Sequence, residues 1–128
     1  MVNKLILIIE DDVELCAEIA ELLRDEGHSV NNTSDSIEGD SLIKKHLYDI
    51  VILDLKMPGL SGIDLLKRIK FKNKSTSVLV ITGRPFVDKL LKEEKVFDLV
   101  DGYLNKPFNC NVLIDKINNA GFARSKKK

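Results

Sequence analysis

The sequence predicts an α/β fold: a doubly wound, five-stranded parallel sheet with five helices packed on its two faces. Two observations carry this expectation. Three short runs, Leu5–Ile9, Ile50–Leu53 and Val78–Ile81, are rich in β-branched residues and continuously apolar rather than alternating, which suits strands covered on both sides. Helical periodicities fall between them. Alternating β and α elements joined by right-handed crossovers produce a parallel sheet. At 128 residues the chain holds one core and is too short for two ordinary domains.

The elements follow in order. After strand Leu5–Ile9, the residues Val13, Cys16, Ile19, Ala20 and Leu23 share one helix face, and Gly27 stops that helix. His28–Asn32 is a weaker strand, followed by a poorer helical pattern over Asp35–His46. Strand Ile50–Leu53 leads to Ser61 and Asp64, spaced as a capping box for a helix that turns Leu65, Leu66 and Ile69 inward. After Val78–Ile81 comes a fourth helix, Phe86–Lys95, with Pro85 suited to its first turn. Gly102–Leu104 is the other weak strand. Asn109–Ala120 is the last helix, with Val112, Leu113, Ile117 and Ala120 on one stripe. Three strong strands and two weak ones fit the flavodoxin-like order 2-1-3-4-5, with the weak strands at the edges.

Composition narrows the function. The chain is 44% apolar and 31% charged, with 20 basic and 20 acidic residues. A zero net charge argues for neither a nucleic-acid partner nor a membrane surface. The distribution is uneven: acids gather between positions 10 and 26, and Arg124, Lys126, Lys127 and Lys128 close the chain as a solvated end. Cys16 and Cys110 make no disulfide framework; both fall in predicted helices and read as small core residues of a reduced, intracellular protein. His28 and His46 lack metal-ligand spacing. No apolar run approaches the roughly 18 residues of a membrane span, and no signal-peptide pattern follows Met1. The expected location is cytoplasmic.

In such a sheet, ligands bind beyond the carboxyl ends of the strands, at the switch point between strands 1 and 3. Glu10, Asp11 and Asp12 follow strand 1, Asp54 follows strand 3, Thr82 and Gly83 follow strand 4, and Lys106 and Pro107 follow strand 5. Each has a plainer reading alone, and Asp12 in particular suits a helix N-cap. Their convergence from four strand ends on one rim points to a site. Carboxylates from two strands make a hard, oxygen-rich environment suited to Mg2+. The cation relieves repulsion among Glu10, Asp11 and Asp54. A carboxylate such as Asp54 can attack a phosphoryl group and form an acyl phosphate. Positioning and charge neutralisation then dominate: Mg2+, Lys106 and the Thr82 hydroxyl can each hold one phosphoryl oxygen.

The motifs "IIEDD", "VILDLKMPGLSG", "VITG" and "DGYLNKPF" resemble those of the receiver domain of two-component response regulators. The resemblance spans Lys4 to about Ala120. It implies a receiver domain over residues 1–121 and a basic, disordered tail over 122–128. It implies that Asp54 is the phosphoacceptor for a histidine kinase or phosphotransfer protein. Asp11 then binds Mg2+ directly, Glu10 acts beside it through water, and the backbone carbonyl of Lys56 completes the metal site. Thr82 is the switch hydroxyl, Lys106 contacts the phosphoryl group, and Tyr103 is the switch aromatic. The Lys106–Pro107 bond is expected to be cis. The output surface is helix 4, strand 5 and helix 5, facing a downstream protein. From its charge balance and lack of a long apolar run, no direct nucleic-acid or membrane contact is expected in this chain, and homodimerisation on phosphorylation is possible. The domain assists only its own phosphorylation and dephosphorylation.

The sequence departs from the family pattern in places. The stretch from Thr82 to Lys106 is about two residues longer than usual, and Leu99 and Val100 replace a small Gly-Ala pair. The positions two beyond Asp54 and Thr82, which tune dephosphorylation in the family, are both basic here, Lys56 and Arg84. Two rival readings use the same residues. A Mg2+-dependent phosphohydrolase with an aspartyl nucleophile is one, but the Asp-x-Asp spacing of haloacid dehalogenase-type phosphatases is missing. A degenerate receiver that binds partners without phosphorylation is the other; the complete set Asp11, Asp54, Thr82 and Lys106 argues against it. Neither G-x-G-x-x-G nor a P-loop pattern is present.

Overall fold

Continuous apolar strands need cover on both faces, and the chain supplies it. The computed structural model describes residues 3–57, 59–83 and 87–126, with side chains described through residue 119. Strands β1 (Leu5–Ile9), β2 (Ser29–Thr33), β3 (Ile50–Asp54), β4 (Ser77–Thr82) and β5 (Gly102–Asn105) form one sheet in the order β2-β1-β3-β4-β5. Every neighbouring pair is parallel. All residues of β3 and β4 are buried, whereas β2 and β5 expose residues as edge strands do. The flavodoxin-like order expected from the sequence is therefore present, with helices α1 (Val13–Asp25), α2 (Ser36–Lys45), α3 (Gly62–Lys72), α4 (Val87–Glu93) and α5 (Cys110–Lys126).

The helices divide into two layers. One apolar cluster joins Leu7, Val51, Leu53 and Val80 of the sheet to Ile43 of α2, Leu65, Leu66 and Ile69 of α3, and Leu91 of α4. The other joins Ile6, Ile8, Ile52 and Ile81 to Cys16, Ile19, Ala20 and Leu23 of α1 and to Leu113 and Ile117 of α5. Successive strand residues point to opposite faces, so one run of sequence feeds both cores.

Local signals set the helix ends. Asp12 caps α1 by accepting from Leu15 N–H, Asp35 caps α2 by accepting from Ile37 N–H, and Ser61 caps α3 by accepting from Asp64 N–H. Past the end of α1, Gly27 takes φ +94°, a value few other residues adopt without strain.

Several local expectations are corrected. Val13, the first residue of α1, is 66% exposed although it falls on that helix's periodic stripe. Val112, in the first turn of α5, is 42% exposed, and Cys110 is exposed rather than a core residue. Helix α4 ends at Glu93, short of Lys95, and Pro85 and Phe86 lie outside the described residues. Between α4 and β5 the chain passes through Lys95 at φ 60° into a 3-10 turn over Phe97–Leu99. Helix α5 continues to Lys126, past the expected end at Ala120. No described helix is long and apolar enough to cross a membrane.

Candidate functional site

The carboxyl ends of β1, β3, β4 and β5 meet at one rim. Glu10 directly follows β1, Asp54 is the last residue of β3, Thr82 is the last of β4, and Lys106 follows the last residue of β5. Parallel register brings them together, since Ile9 pairs with Leu53, Asp54 with Ile81 and Thr82 with Asn105. The Lys106 N–H also donates to the Thr82 carbonyl at 2.8 Å, extending the ladder by one residue. The Lys106–Pro107 peptide is cis.

One carboxylate oxygen from each of Glu10, Asp11 and Asp54 lies within 4.8 Å of the other two. Glu10 and Asp54 are buried while Asp11 is exposed, so the cluster opens to solvent on the Asp11 side. Backbone donors orient the buried pair: Asp12 N–H donates to Glu10 Oε2 at 3.0 Å, and Lys56 N–H donates to Asp54 Oδ1 at 3.1 Å. Lys106 Nζ reaches Glu10 Oε1 at 2.5 Å and Asp54 Oδ2 at 3.5 Å.

Like charges packed this closely shift one another's protonation. Burial pushes the Asp54 carboxyl up to about 7, and the charge of Glu10 with hydrogen bonds to Asp11 and Glu10 pushes the same way, against the Lys56 N–H. Asp11 moves the other way: partial burial opposes the shift, but its hydrogen bonds to Glu10 and Asp54 and the charge of Lys106 hold it below the usual carboxylate range. The cluster as a group therefore holds a proton to higher pH than isolated carboxylates would. Burial alone would lower Lys106; Glu10 and Asp54 outweigh it and raise the ammonium above its usual value.

The structure brings Glu10, Asp11, Asp54 and Lys106 together. Thr82 is fully buried at the end of the neighbouring strand. Asp12 turns away to cap α1. Tyr103 stands on edge strand β5, 36% exposed. The Lys56 side chain is exposed, and Arg84 lies outside the described residues. One positioning element escaped the sequence reading: Asp101 Oδ2 accepts from Lys70 Nζ at 2.8 Å and from Val78 N–H at 2.7 Å, fixing the start of β5 against α3 and β4. Lys70 also donates to the Thr76 carbonyl. A buried lysine on α3 carries no local signal that separates it from the exposed lysines around it.

Glycine permits close approach at the other side of the site. A Cβ on Gly62 would lie 2.5 Å from Leu55 Cα and 2.9 Å from the Asp54 carbonyl oxygen. The first turn of α3 therefore packs directly on the backbone that carries Asp54.

Comparison with known proteins agrees with this geometry. Residues 6–118 match the family model of the response regulator receiver domain. The cell cycle transcriptional regulator CtrA of Caulobacter vibrioides is 34% identical over 112 residues, covering 88% of this chain and 48% of that protein. The cell cycle response regulator CtrA of Brucella ovis is 34% identical over 115 residues, covering 88% and 47%. The chain thus spans about half the length of these curated relatives. Among solved structures, a response regulator receiver domain protein from Clostridium thermocellum superposes with a TM-score of 0.85 at 32% identity, covering 97% of this chain and 98% of that one. A CheY-like receiver domain protein from Methanospirillum hungatei shares the fold at TM-score 0.88 and 24% identity, covering 99% and 100%. With the family model matched over nearly its whole length, this chain belongs to the response regulator receiver domain family.

Proposed function

We propose that the chain is a Mg2+-dependent phosphorylation switch with Asp54 as its phosphoacceptor. The observation that carries this reading is the convergence of three carboxylates, Glu10, Asp11 and Asp54, on one ammonium, Lys106. The donor set fits Mg2+, because every ligand atom offered is a hard oxygen and the open side leaves room for retained water. Glu10, Asp11 and Asp54 would hold the ion with the backbone carbonyl of Lys56. Once bound, the ion supplies positive charge that offsets the carboxylates and the phosphoryl oxygens.

The chain's own groups then do the following. A carboxylate oxygen of Asp54 attacks the phosphorus of a phosphohistidine on a histidine kinase or phosphotransfer protein. The new O–P bond forms as the P–N bond breaks. The imidazole nitrogen keeps the P–N electron pair and takes up a proton from solvent. Lys106, already 3.5 Å from Asp54 Oδ2, pairs with one phosphoryl oxygen, and the Thr82 hydroxyl donates to another. Thr82 moves toward the new charge and Tyr103 turns inward behind it, so the face of α4, β5 and α5 changes shape toward a downstream protein partner. The bond made at Asp54 is later hydrolysed in the same site, and no separate substrate is turned over. This reading places the receiver at residues 1–121, in the cytoplasm, with no direct nucleic-acid contact.

Incubation with Mg2+ and acetyl phosphate, followed by intact mass measurement, tests it. One acid-stable, base-labile phosphoryl group is expected, absent in Asp54→Asn and absent when Mg2+ is chelated. No modification under conditions that phosphorylate a control receiver overturns the reading.

A further inference from the structure

Away from the rim, two oppositely charged surfaces lie on opposite layers of the molecule. On α3, Phe71 is 94% exposed. It shares an open groove between α2 and α3 with Lys44, Lys67, Arg68 and Lys72, and the one carboxylate in that groove, Asp40, is buried beneath Arg68 and Lys44. The cations are partly fixed. Arg68 Nη1 holds Asp40 at 2.8 Å, and Lys72 Nζ donates to the carbonyls of Ile43, Lys44 and His46 at the end of α2. An aromatic side chain left almost fully in water beside four cations, two of them held by hydrogen bonds, has the form of an apolar anchor with a charged rim.

The complementary form lies on α1. Glu14, Glu18, Glu21 and Asp25 are exposed and spaced as one stripe along the helix, and the exposed Val13 and Ala17 run beside it. The α1 core face belongs to one apolar layer and the α2 and α3 core faces to the other. The two surfaces therefore cannot meet within one molecule.

We propose that the α2–α3 face docks on the α1 face of a second copy of this chain. Phe71 lies over the Val13–Ala17 strip, with Lys67 and its neighbours against the Glu14–Glu18–Glu21 stripe. The choice of a second copy rests on charge complementarity: the chain is neutral overall, yet it carries both halves of the contact. The contact is heterologous, so each added copy leaves one open face at either end and chains grow head to tail. Its charges stand in solvent, so association is weak and screened by salt.

Sedimentation velocity of the whole chain over a wide concentration range tests this, with Mg2+ chelated throughout. At about 20 mM salt the sedimentation coefficient is expected to rise with concentration, and association is expected to weaken about tenfold or more at about 300 mM salt. Lys67→Glu with Phe71→Ser breaks one face; Glu18→Lys with Glu21→Lys breaks the other. Each double variant alone is expected to stay monomeric, with circular dichroism and Tm confirming its fold. An equimolar mixture of the two is expected to form a dimer and nothing larger, because one intact face of each kind remains. A monomer at every concentration and both salts overturns the proposal. So does association that persists in either variant, or a mixture that fails to dimerise; a symmetric interface or a different partner then accounts for these surfaces.

Discussion

The ammonium of Lys106 lies closer to Glu10, at 2.5 Å, than to Asp54, at 3.5 Å. Without a metal ion, this lysine is the cation that makes the acidic rim tolerable. It therefore competes with Mg2+ for the same carboxylates. Lys106→Ala is expected to tighten Mg2+ binding, by roughly three- to tenfold given exposed-to-intermediate charge coupling. The same variant is expected to lose most phosphorylation by acetyl phosphate if Lys106 holds a phosphoryl oxygen as proposed. Calorimetric titration with Mg2+ beside intact-mass phosphorylation separates the two effects; weaker Mg2+ binding in Lys106→Ala would sink the competition argument.

Asp54 gives the site a pH dependence. Burial and the neighbouring acids push its carboxyl up to about 7 from an ordinary 3.8 when no metal offsets them. Between these values the unfolded chain releases a proton that the folded chain retains. Stability therefore falls as pH rises from about 4 to about 7 and then levels off. Asp54→Asn removes this penalty: it is expected to be neutral near pH 4 and stabilising by on the order of 2 kcal/mol at pH 8 without Mg2+. Because Mg2+ must displace the same proton, its apparent Kd in the wild type is expected to rise about tenfold from pH 8 to pH 6. Urea unfolding across pH and Mg2+ titration at the two pH values measure these; a flat difference between wild type and variant contradicts the assignment of the proton to Asp54.

The central strands and the rim were legible because their signals are local and strong. Leu5–Ile9, Ile50–Leu53 and Val78–Ile81 are continuously apolar, and a lone acid such as Asp54 after such a run marks a strand end facing a ligand. The edge strand Ser29–Thr33 is polar at every position but Val30, and its bounds lie one residue beyond the His28–Asn32 expected from the sequence. Periodicity placed Val13 and Val112 on buried stripes, but both lie in the first turn of their helix and are exposed; period alone does not report how far a helix end is covered. The chain between α4 and β5 passes through a left-handed Lys95 into a 3-10 turn, which no Gly or Asn announces. Pairings such as Lys70 with Asp101 and Lys106 with Glu10 depend on three-dimensional register. No spacing rule reaches across those separations.

Gly62 couples helix packing to the site. An added Cβ meets backbone atoms, Leu55 Cα at 2.5 Å and the Asp54 and Leu55 carbonyl oxygens at 2.9 Å, so no side-chain rotation relieves it. Gly62→Ala must push α3 off the end of β3. A loss of about 2 kcal/mol is expected, in the range of overpacked cores, although alanine is the better helix former. The Lys56 N–H that orients Asp54 lies in the displaced segment, so Mg2+ binding is expected to weaken as well. Urea unfolding with unchanged m-value, together with Mg2+ titration, checks both; a variant as stable as wild type shows that the loop yields freely.

The three consecutive acids divide into different tasks, and substitution should separate them. Asp12 Oδ1 accepts from Leu15 N–H at 3.1 Å and caps α1, whereas a ligand atom of Asp11 lies within 4.8 Å of those of Glu10 and Asp54. Asp12→Ala removes a cap and is expected to cost about 1 kcal/mol of stability. It leaves the backbone N–H of residue 12 in place to orient Glu10, so Mg2+ affinity is expected to change by less than about threefold, the scale of a nearby exposed charge. If Asp11 ligates the ion as proposed, Asp11→Ala is expected to weaken Mg2+ binding by about tenfold or more, with no capping penalty. Thermal unfolding and Mg2+ titration of the two variants side by side distinguish the roles. If Asp12→Ala loses Mg2+ as severely as Asp11→Ala, the acid that caps α1 also belongs to the metal site.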